Sequence, residues 1–182
     1  MKIVLLNAAT LPIYREELAE LFCDAHAGGQ PGWLCNEDSP VVSEAFFHDL
    51  REAMSRHQRL LWIARSEQGL IGTVQLELAA SDTLRQCGTV STLVVDTAAR
   101  RQGVAKQLMR ELENTAFSLR RGLLSLDIQA GSAAEAFYRA QGYRCSGKKS
   151  TDSPESYASP QLDRLYYKRL IPNAPLPSRT VN

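Results

Sequence analysis

The segment RRQGVAK, residues 100–106, combines residue types that suit the binding of a phosphate anion. A run rich in β-branched residues precedes it and a run with apolar residues at helical spacing follows, so the chain passes here from a strand into a helix. The first amides of a helix have no intrahelical acceptor and carry partial positive charge. Gly103 and Ala105 leave the backbone accessible, and Arg100 and Arg101 add positive charge. The segment therefore predicts a turn on which a pyrophosphate lies against backbone amides.

A second interpretation of this segment is an ordinary strand-to-helix connection that tolerates a glycine. The segment contains neither the G-K-[ST] of a Walker A loop nor the pattern G-x-G-x-x-G. Against this interpretation, a glycine two or three residues inside a helix destabilises it by about 1 kcal/mol relative to alanine. That penalty favours a functional reason for Gly103.

The surrounding sequence predicts alternating helices and strands that position this turn. Strands are expected at 3–6, 59–65, 70–79, 89–96, 122–128, 143–148 and 163–171. Helices are expected at 11–29, at 43–57 with Ser43 as N-cap, from the turn to Ala116, and at 132–142. The third helix has an apolar face made of Val104, Leu108, Leu112 and Ala116. Loops are expected at 30–40, 80–88 and 150–160.

Length and charge narrow the possible functions. The 182 residues suffice for one domain, expected over 1–172, with a flexible tail at 173–182. The formal net charge of +1 argues against a nucleic-acid partner, and no apolar stretch approaches the roughly 20 residues that span a bilayer. The N-terminus has no secretory pattern, so a cytoplasmic location is expected. The four cysteines and three histidines lack metal-ligand spacing, so we expect reduced thiols and no metal.

Two segments, LVVDTAARRQGVAKQLM and AAEAFYRAQGYR, resemble the GCN5-related N-acetyltransferases, or GNAT enzymes, and the similarity extends over residues 2–170. The segments RRGLLSLDIQAGSAAEAFY and AHAGGQPGW are most similar to the tabtoxin-resistance acetyltransferases of that family. The resemblance implies the α/β (α+β) GNAT fold, a central mixed twisted sheet of roughly six to seven strands flanked by about four helices. It also implies an enzyme that transfers the acetyl group of acetyl-CoA to an amine.

The resemblance further implies which residues bind acetyl-CoA. Leu93, Val94 and Val95 lie where the central strand diverges from its neighbour and pairs with the pantetheine arm. The pyrophosphate loop comprises Arg100, Arg101, Gln102, Gly103, Val104, Ala105 and Lys106. Ser132 and Ala133 begin a helix that flanks the cofactor.

Two side chains match the catalytic positions of this family. Tyr138 matches a tyrosine near the thioester sulfur, where a hydroxyl can donate to the departing thiolate; otherwise it is a core aromatic. Asp127 matches an acid–base aspartate of the tabtoxin-resistance relatives, or it has a structural role. The glutamate expected with it falls on Thr89, which cannot be a base at neutral pH. Asp127 acting through water, Glu77 on the neighbouring strand and an amine that arrives deprotonated are the alternatives.

The acceptor pocket is expected between the segments 28–40 and 146–160. In the first segment, Trp33, Glu37 and Asp38 can bind an ammonium group or are ordinary exposed loop residues. Tyr157 is the aromatic residue of the second segment. A small-molecule amine is the expected acceptor, and dimerisation, common in the family, is expected here. The alternatives are a protein or peptide N-acetyltransferase and a non-catalytic acyl-CoA-binding module.

Overall fold

The computed structural model describes residues 1–27, 35–36, 39–42, 44–79, 85–148 and 163–171. The strands in these ranges are β1 (Lys2–Leu6), β2 (Cys35–Asn36), β3 (Ser39–Val42), β4 (Arg59–Ser66), β5 (Gly69–Leu78), β6 (Cys87–Val95), β7 (Leu123–Gln129), β8 (Arg144–Lys148) and β9 (Asp163–Arg169). Seven of them form one sheet in the order β1-β4-β5-β6-β7-β9-β8, and β2 and β3 form a separate hairpin. Neighbours in the large sheet are antiparallel except β6 and β7, which are parallel, so the sheet is mixed.

Four α-helices lie in the described ranges: α1 (Arg15–Ala27), α2 (Glu44–Ser55), α3 (Val104–Ser118) and α4 (Ala133–Ala140). Side chains alternate between the two faces of the large sheet, and the helices cover the apolar side chains on both faces. The α3 face packs Val74, Val90 and Leu126 against Leu108 of α3 and also contains Tyr138 of α4. The α1 face packs residues of β4 and Val94 against α1 and α2. None of the described helices combines the length and apolarity that crossing a bilayer requires.

The parallel pair β6 and β7 is joined only at its start. The register pairs Cys87, Gly88 and Thr89 with residues 123–125 and goes no further. Strand β6 nevertheless remains paired with β5 as far as Val95. The two strands therefore diverge, and we call the gap between residues 90–95 of β6 and 126–129 of β7 the fork.

A β-bulge in β6 lies beside the fork. Thr73 and Gln75 of β5 are two positions apart, whereas their partners Val94 and Ser91 are three apart, so β6 carries one extra residue. Thr92 adopts φ +52°, in the left-handed region that a β-branched residue seldom occupies. The extra residue reverses the alternation, so Val90 belongs to the core on the α3 face and Val94 to the core on the α1 face.

Most of the elements predicted from the sequence are confirmed, and the differences have simple causes. Segment 30–40 is not entirely loop, since β2 and β3 pair within and just beyond it. Strands of two and four residues are too short to show a period of two. The first helix opens with a 3-10 turn, Leu11–Tyr14, before α1. Ser43, residues 150–160 and the tail 173–182 lie outside the described residues.

Candidate functional site

The segment 100–106 continues into α3, which begins at Val104, and Gly103 is the N-cap of that helix. This corrects the expectation that Gly103 lies inside the helix, so the interior penalty does not apply to it. Its φ of +83° explains the glycine directly, because L residues with a Cβ rarely adopt it. A Cβ built on Gly103 would meet no atom within 4 Å, and no side chain caps the helix. Because no described side chain caps α3, its first amides are available to the phosphates expected there.

The two arginines of the turn differ in direction. Arg101 is exposed and has φ +63°. Arg100 turns inward, with its Nε donating to the backbone oxygen of Val95 at 3.3 Å, and among the described residues its buried Nη2 has no hydrogen-bond partner. Its guanidinium is therefore bound to the end of β6, and its contribution to phosphate binding stays a prediction. Gln102 bonds the Ala98 oxygen at 2.9 Å, and Lys106 is exposed.

Leu93, Val94 and Val95 lie at the fork, as predicted. Leu93 and Val95 pack against the core of the α3 face, whereas the bulge turns Val94 to the α1 face. Val104 is buried beneath the turn and Ala105 is half-buried. Beyond Thr89 the β6 backbone has no β7 partner in the register, so an extended ligand can pair with this edge. The backbone geometry fits a pantetheine arm that ends at the α3 amides.

The start of α4 is held by a compact hydrogen-bond network. Ser132 is the N-cap, accepting from the Glu135 amide and donating to the Gln129 oxygen at 2.8 Å, and Ala133 is exposed. The buried Glu135 carboxylate accepts from the Tyr166 hydroxyl and from the Gly131 amide at 2.7 Å. These two bonds hold the pKa of Glu135 below its usual range. The network anchors α4, and with it Tyr138, to β9.

Tyr138 is buried in the core of the α3 face, with a relative exposure of 6%. Its ring makes edge contacts with Phe137 and Tyr143 at centroid distances of 5.2 and 5.3 Å. Burial raises the pKa of Tyr138 well above its usual value, so the phenol keeps its proton at neutral pH. The side chain is thus a core aromatic with a protonated hydroxyl, and its role as a proton donor to the thioester sulfur stays a prediction.

Asp127 lies on the opposite face of the sheet from Tyr138. It is exposed between the buried Leu126 and Ile128 of β7, and its register partner on β9 is Leu165. Because side chains alternate, Asp127 points to the α1 face while its neighbours join the core of the α3 face. The two predicted catalytic residues therefore flank the fork from opposite sides of the sheet.

The α1 face beside the fork carries polar side chains from neighbouring strands. Thr89 is exposed and is paired with Glu77 of β5 on one side and Ser125 of β7 on the other. The Glu77 Oε1 accepts from Arg59 at 2.8 Å and from Ser91 at 3.2 Å. Glu77 was one of the three alternatives given for deprotonation of the acceptor amine, and it is the register partner of Thr89.

Sequence reasoning missed Arg59, Gln75 and Ser91, which surround Glu77. Gln75 is fully buried, and its Oε1 accepts from Arg59 at 3.4 Å. Alternation in β5 puts residues 75 and 77 on one face, a signal available from the sequence. Their meeting with Arg59 and Ser91 depends on strand order and register, which the sequence did not supply.

Trp33, Glu37, Asp38 and Tyr157 lie outside the described residues. Cys87 is a free thiol whose pKa is raised by burial. On α2, ligand atoms of His48, Asp49 and Glu52 lie within 4.8 Å of one another, a spacing that the sequence analysis overlooked. All three residues are exposed, and exposed acidic groups such as Asp49 and Glu52 are common without a bound metal.

Solved structures of other proteins share this fold. A ribosomal-protein-alanine N-acetyltransferase from Brucella melitensis is 21% identical, with a TM-score of 0.71 over 93% of this chain and 100% of that one. A putative acetyltransferase from Salmonella typhimurium, solved with its cofactor acetyl-CoA, is 15% identical with a TM-score of 0.72 over 98% of each chain. An aminoglycoside 6'-N-acetyltransferase complexed with coenzyme A is 16% identical, with a TM-score of 0.69 over 96% of this chain and 100% of that one.

A family model described as the acetyltransferase (GNAT) domain matches residues 35–153. This stretch includes the fork, the turn at 100–106 and both predicted catalytic residues. The mixed seven-stranded sheet and four helices confirm the predicted fold. Because the matched stretch is more than half of the sequence, the chain belongs to the acetyltransferase (GNAT) domain family.

Proposed function

We propose that this N-acetyltransferase transfers the acetyl group of acetyl-CoA to the primary amine of a small molecule, of the amino-acid, antibiotic or toxin type. The observation that carries the proposal is the fork, whose two strands share the core of the α3 face with Tyr138 and whose other face carries the exposed Thr89 and Asp127. A donor arm lying in the fork has a proton donor on one side and room for an amine on the other.

The donor is held mainly by backbone groups. The amides of residues 103–106 bind the pyrophosphate, since they begin a helix that no side chain caps. Arg101 and Lys106, both exposed, add positive charge beside them. The edge of β6 at Leu93, Val94 and Val95 pairs with the pantetheine amides, and the start of α4 at Ser132 and Ala133 flanks the arm. Acetyl-CoA supplies an acyl thioester whose carbon is open to attack by an amine.

Tyr138 and Asp127 carry the proton chemistry of the proposal. Tyr138 holds its proton at Oη at neutral pH and donates to the sulfur as negative charge develops there. Asp127 assists deprotonation of the acceptor ammonium, directly or through water, on the α1 face. Thr89, where the relatives carry a glutamate, contributes no base, so Asp127 bears more of that task.

The small-molecule class of the acceptor is proposed separately from the reaction. One structural neighbour is named for a ribosomal protein and another for aminoglycosides, so one fold serves both protein and small-molecule acceptors. The resemblance of segments 25–33 and 120–138 to tabtoxin-resistance enzymes supports the small-molecule class. A cytoplasmic location and a homodimer remain predictions.

An amine panel tests this proposal. Kanamycin, lysine, spermidine and a peptide with N-terminal alanine are each mixed with acetyl-CoA and the protein, and release of the CoA thiol is followed with a thiol reagent. We expect turnover with at least one small amine above the rate without acceptor. Turnover with the peptide alone would indicate a peptide N-acetyltransferase. Tight calorimetric binding of acetyl-CoA without acetylation of any amine would indicate a binding module.

A further inference from the structure

A polar cluster next to the fork has no part in the mechanism above. It consists of Arg59 on β4, Gln75 and Glu77 on β5, and Ser91 on β6, and its side chains are joined by hydrogen bonds. Arg59 donates to both β5 residues, so the guanidinium holds the two side chains in fixed positions. Such an arrangement stabilises one geometry of Glu77 and Gln75 before any ligand arrives.

The amide of Gln75 has an unsatisfied donor. Its Oε1 faces the Arg59 guanidinium, and the opposite assignment would place an NH₂ group against the donors of Arg59. The orientation of the amide is therefore determined by its neighbour. Gln75 is fully buried, and its Nε2 has no hydrogen-bond partner among the residues that the structure describes. Buried donors are nearly always paired in native proteins, so an unpaired one points to a group that is supplied from outside.

The Glu77 carboxylate reaches the edge of the fork. Its residue is paired with Thr89, and its Oε1 accepts from Ser91 two residues further along β6, just before the bulge. The side chain of Glu77 is 42% exposed, so a ligand over Thr89 can contact it. Cross-strand neighbours on one face lie about 5 Å apart. Glu77 therefore places a partly exposed carboxylate beside Thr89, at the start of the fork.

We propose that Glu77 and Gln75 form the acceptor-binding subsite, in which Glu77 binds the ammonium group and Gln75 Nε2 donates to an oxygen on the adjacent carbon. The acceptor class is thus an amine with a neighbouring carbonyl or hydroxyl oxygen, and a plain alkylamine fits less well. Arg59 and Ser91 are positioning residues that act through Glu77 and Gln75. This proposal rests on the proposed function and deepens it, since it concerns the same fork.

Two probes of similar size test the subsite: glycinamide, which has a carbonyl beside its amine, and propylamine, which has none. Binding of each to the full-length protein with coenzyme A is measured by ligand-observed saturation-transfer NMR, and acetylation by release of the CoA thiol. We expect wild-type protein to bind glycinamide at least about fivefold more tightly, because a satisfied buried donor stabilises the complex. Equal binding of both probes, or binding of neither, would overturn the proposal.

Three variants assign the effect to its residues. Glu77→Gln should weaken both probes about tenfold or more, because it removes a charge-assisted contact. Gln75→Met should abolish the preference for glycinamide and leave propylamine unchanged. Glu67→Gln, an exposed carboxylate on the turn between β4 and β5, is the matched control and should change neither. If Gln75→Met unfolds, Gln75→Leu replaces it, since it also removes both Nε2 donors and adds no charge.

The failure of this inference is distinguishable from failure of the proposed function. Glu77→Gln should raise the acceptor KM with little change in kcat or acetyl-CoA affinity. Asp127→Asn should instead lower kcat, with partial recovery at high pH where the amine is already deprotonated. If the amine panel shows turnover and Glu77→Gln leaves KM unchanged, the subsite is wrong and the acetyltransfer stands. If no amine reacts, the NMR preference still decides the subsite.

Discussion

The turn at 100–106 and the α1 face around Thr89 belong to one proposed site, and they are built from different chemical groups. The turn uses backbone amides of consecutive residues, set by the left-handed Gly103 and the start of α3. The face uses side chains from β4, β5, β6 and β7, which meet only through the register of four strands. A site made of backbone amides can be recognised in a contiguous stretch of sequence, because its residues are neighbours in the chain. A site made of side chains on a sheet can be recognised only when the strand order is known.

The same contrast predicts how the two regions respond to substitution. A backbone amide is not removed by replacing a side chain, so the turn changes only through conformation or steric blockage. Each polar group at the fork is a side chain that one substitution removes. We therefore expect substitutions at the fork to alter turnover or acceptor binding, and substitutions at the turn to alter cofactor affinity.

Tyr138→Phe is expected to have the largest effect. It should lower kcat on the order of a hundredfold, because it removes the one hydroxyl proposed to donate to the leaving sulfur. The ring remains, so its edge contacts with Phe137 and Tyr143 are kept and the fold should be stable. Steady-state kinetics with the best amine of the panel gives kcat, and calorimetry should find acetyl-CoA affinity nearly unchanged.

Tyr143→Phe is the matched control for this loss. It removes a neighbouring buried hydroxyl, which donates to Glu113 at 3.2 Å, from the same core. We expect its kcat to stay within about threefold of wild type. An equal fall in both variants would mean that Tyr138 supports the core and donates no proton.

Gly103→Val should have an intermediate effect, confined to the cofactor. Valine is unfavourable at φ +83°, and its branches would enter the open space before the α3 amides. We expect the Kd of acetyl-CoA to rise about tenfold, measured by calorimetry on protein shown to be folded.

Gly103→Asn separates the two causes, since asparagine tolerates a positive φ. Retained affinity in this variant would assign the glycine to backbone conformation, and a loss in both variants would assign it to the approach of the phosphates. Unchanged acetyl-CoA affinity in a folded valine variant would contradict the placement of the pyrophosphate at this turn.

Glu135→Gln should have the smallest effect on turnover and a clear effect on stability. The bonds from Tyr166 and Gly131 lower the pKa of Glu135 in the folded protein, so the ionised carboxylate stabilises the fold above the usual carboxyl pKa. This contribution is lost as the pH falls through the lowered pKa. The variant should therefore melt several degrees below wild type at neutral pH, and the difference should shrink in acid.

Thermal unfolding followed by circular dichroism at neutral and acidic pH measures this difference. Glu111→Gln, an exposed carboxylate on α3, provides the comparison and should leave the melting temperature unchanged at both values. A Glu135→Gln difference that is the same in acid as at neutral pH would show that the ionised form has no special role in holding α4.

Much of the fold and the strand-to-helix turn at 100–106 could be predicted from the sequence, because the information is local. Val104, Leu108, Leu112 and Ala116 recur at helical spacing, and all four are buried on α3. Segment 100–106 predicted a helix N-terminus, which the structure contains. The predicted position of Gly103 inside the helix was wrong, since Gly103 is the N-cap. A glycine in a sequence indicates only that the backbone has conformational freedom there. The φ of Gly103 and the first residue of α3 show which conformation the glycine adopts.

The sequence by itself determined the family, the order of most elements and the segments in which α3 and α4 begin. The tertiary structure decided that β6 and β7 part after Thr89, that a bulge moves Val94 to the opposite face, and that Tyr138 and Asp127 flank the fork from opposite sides. It also decided that Arg100 turns inward and that Arg59, Gln75, Glu77 and Ser91 meet. These outcomes depend on register between strands far apart in the chain, and a one-residue change in register moves a side chain to the other face of a sheet.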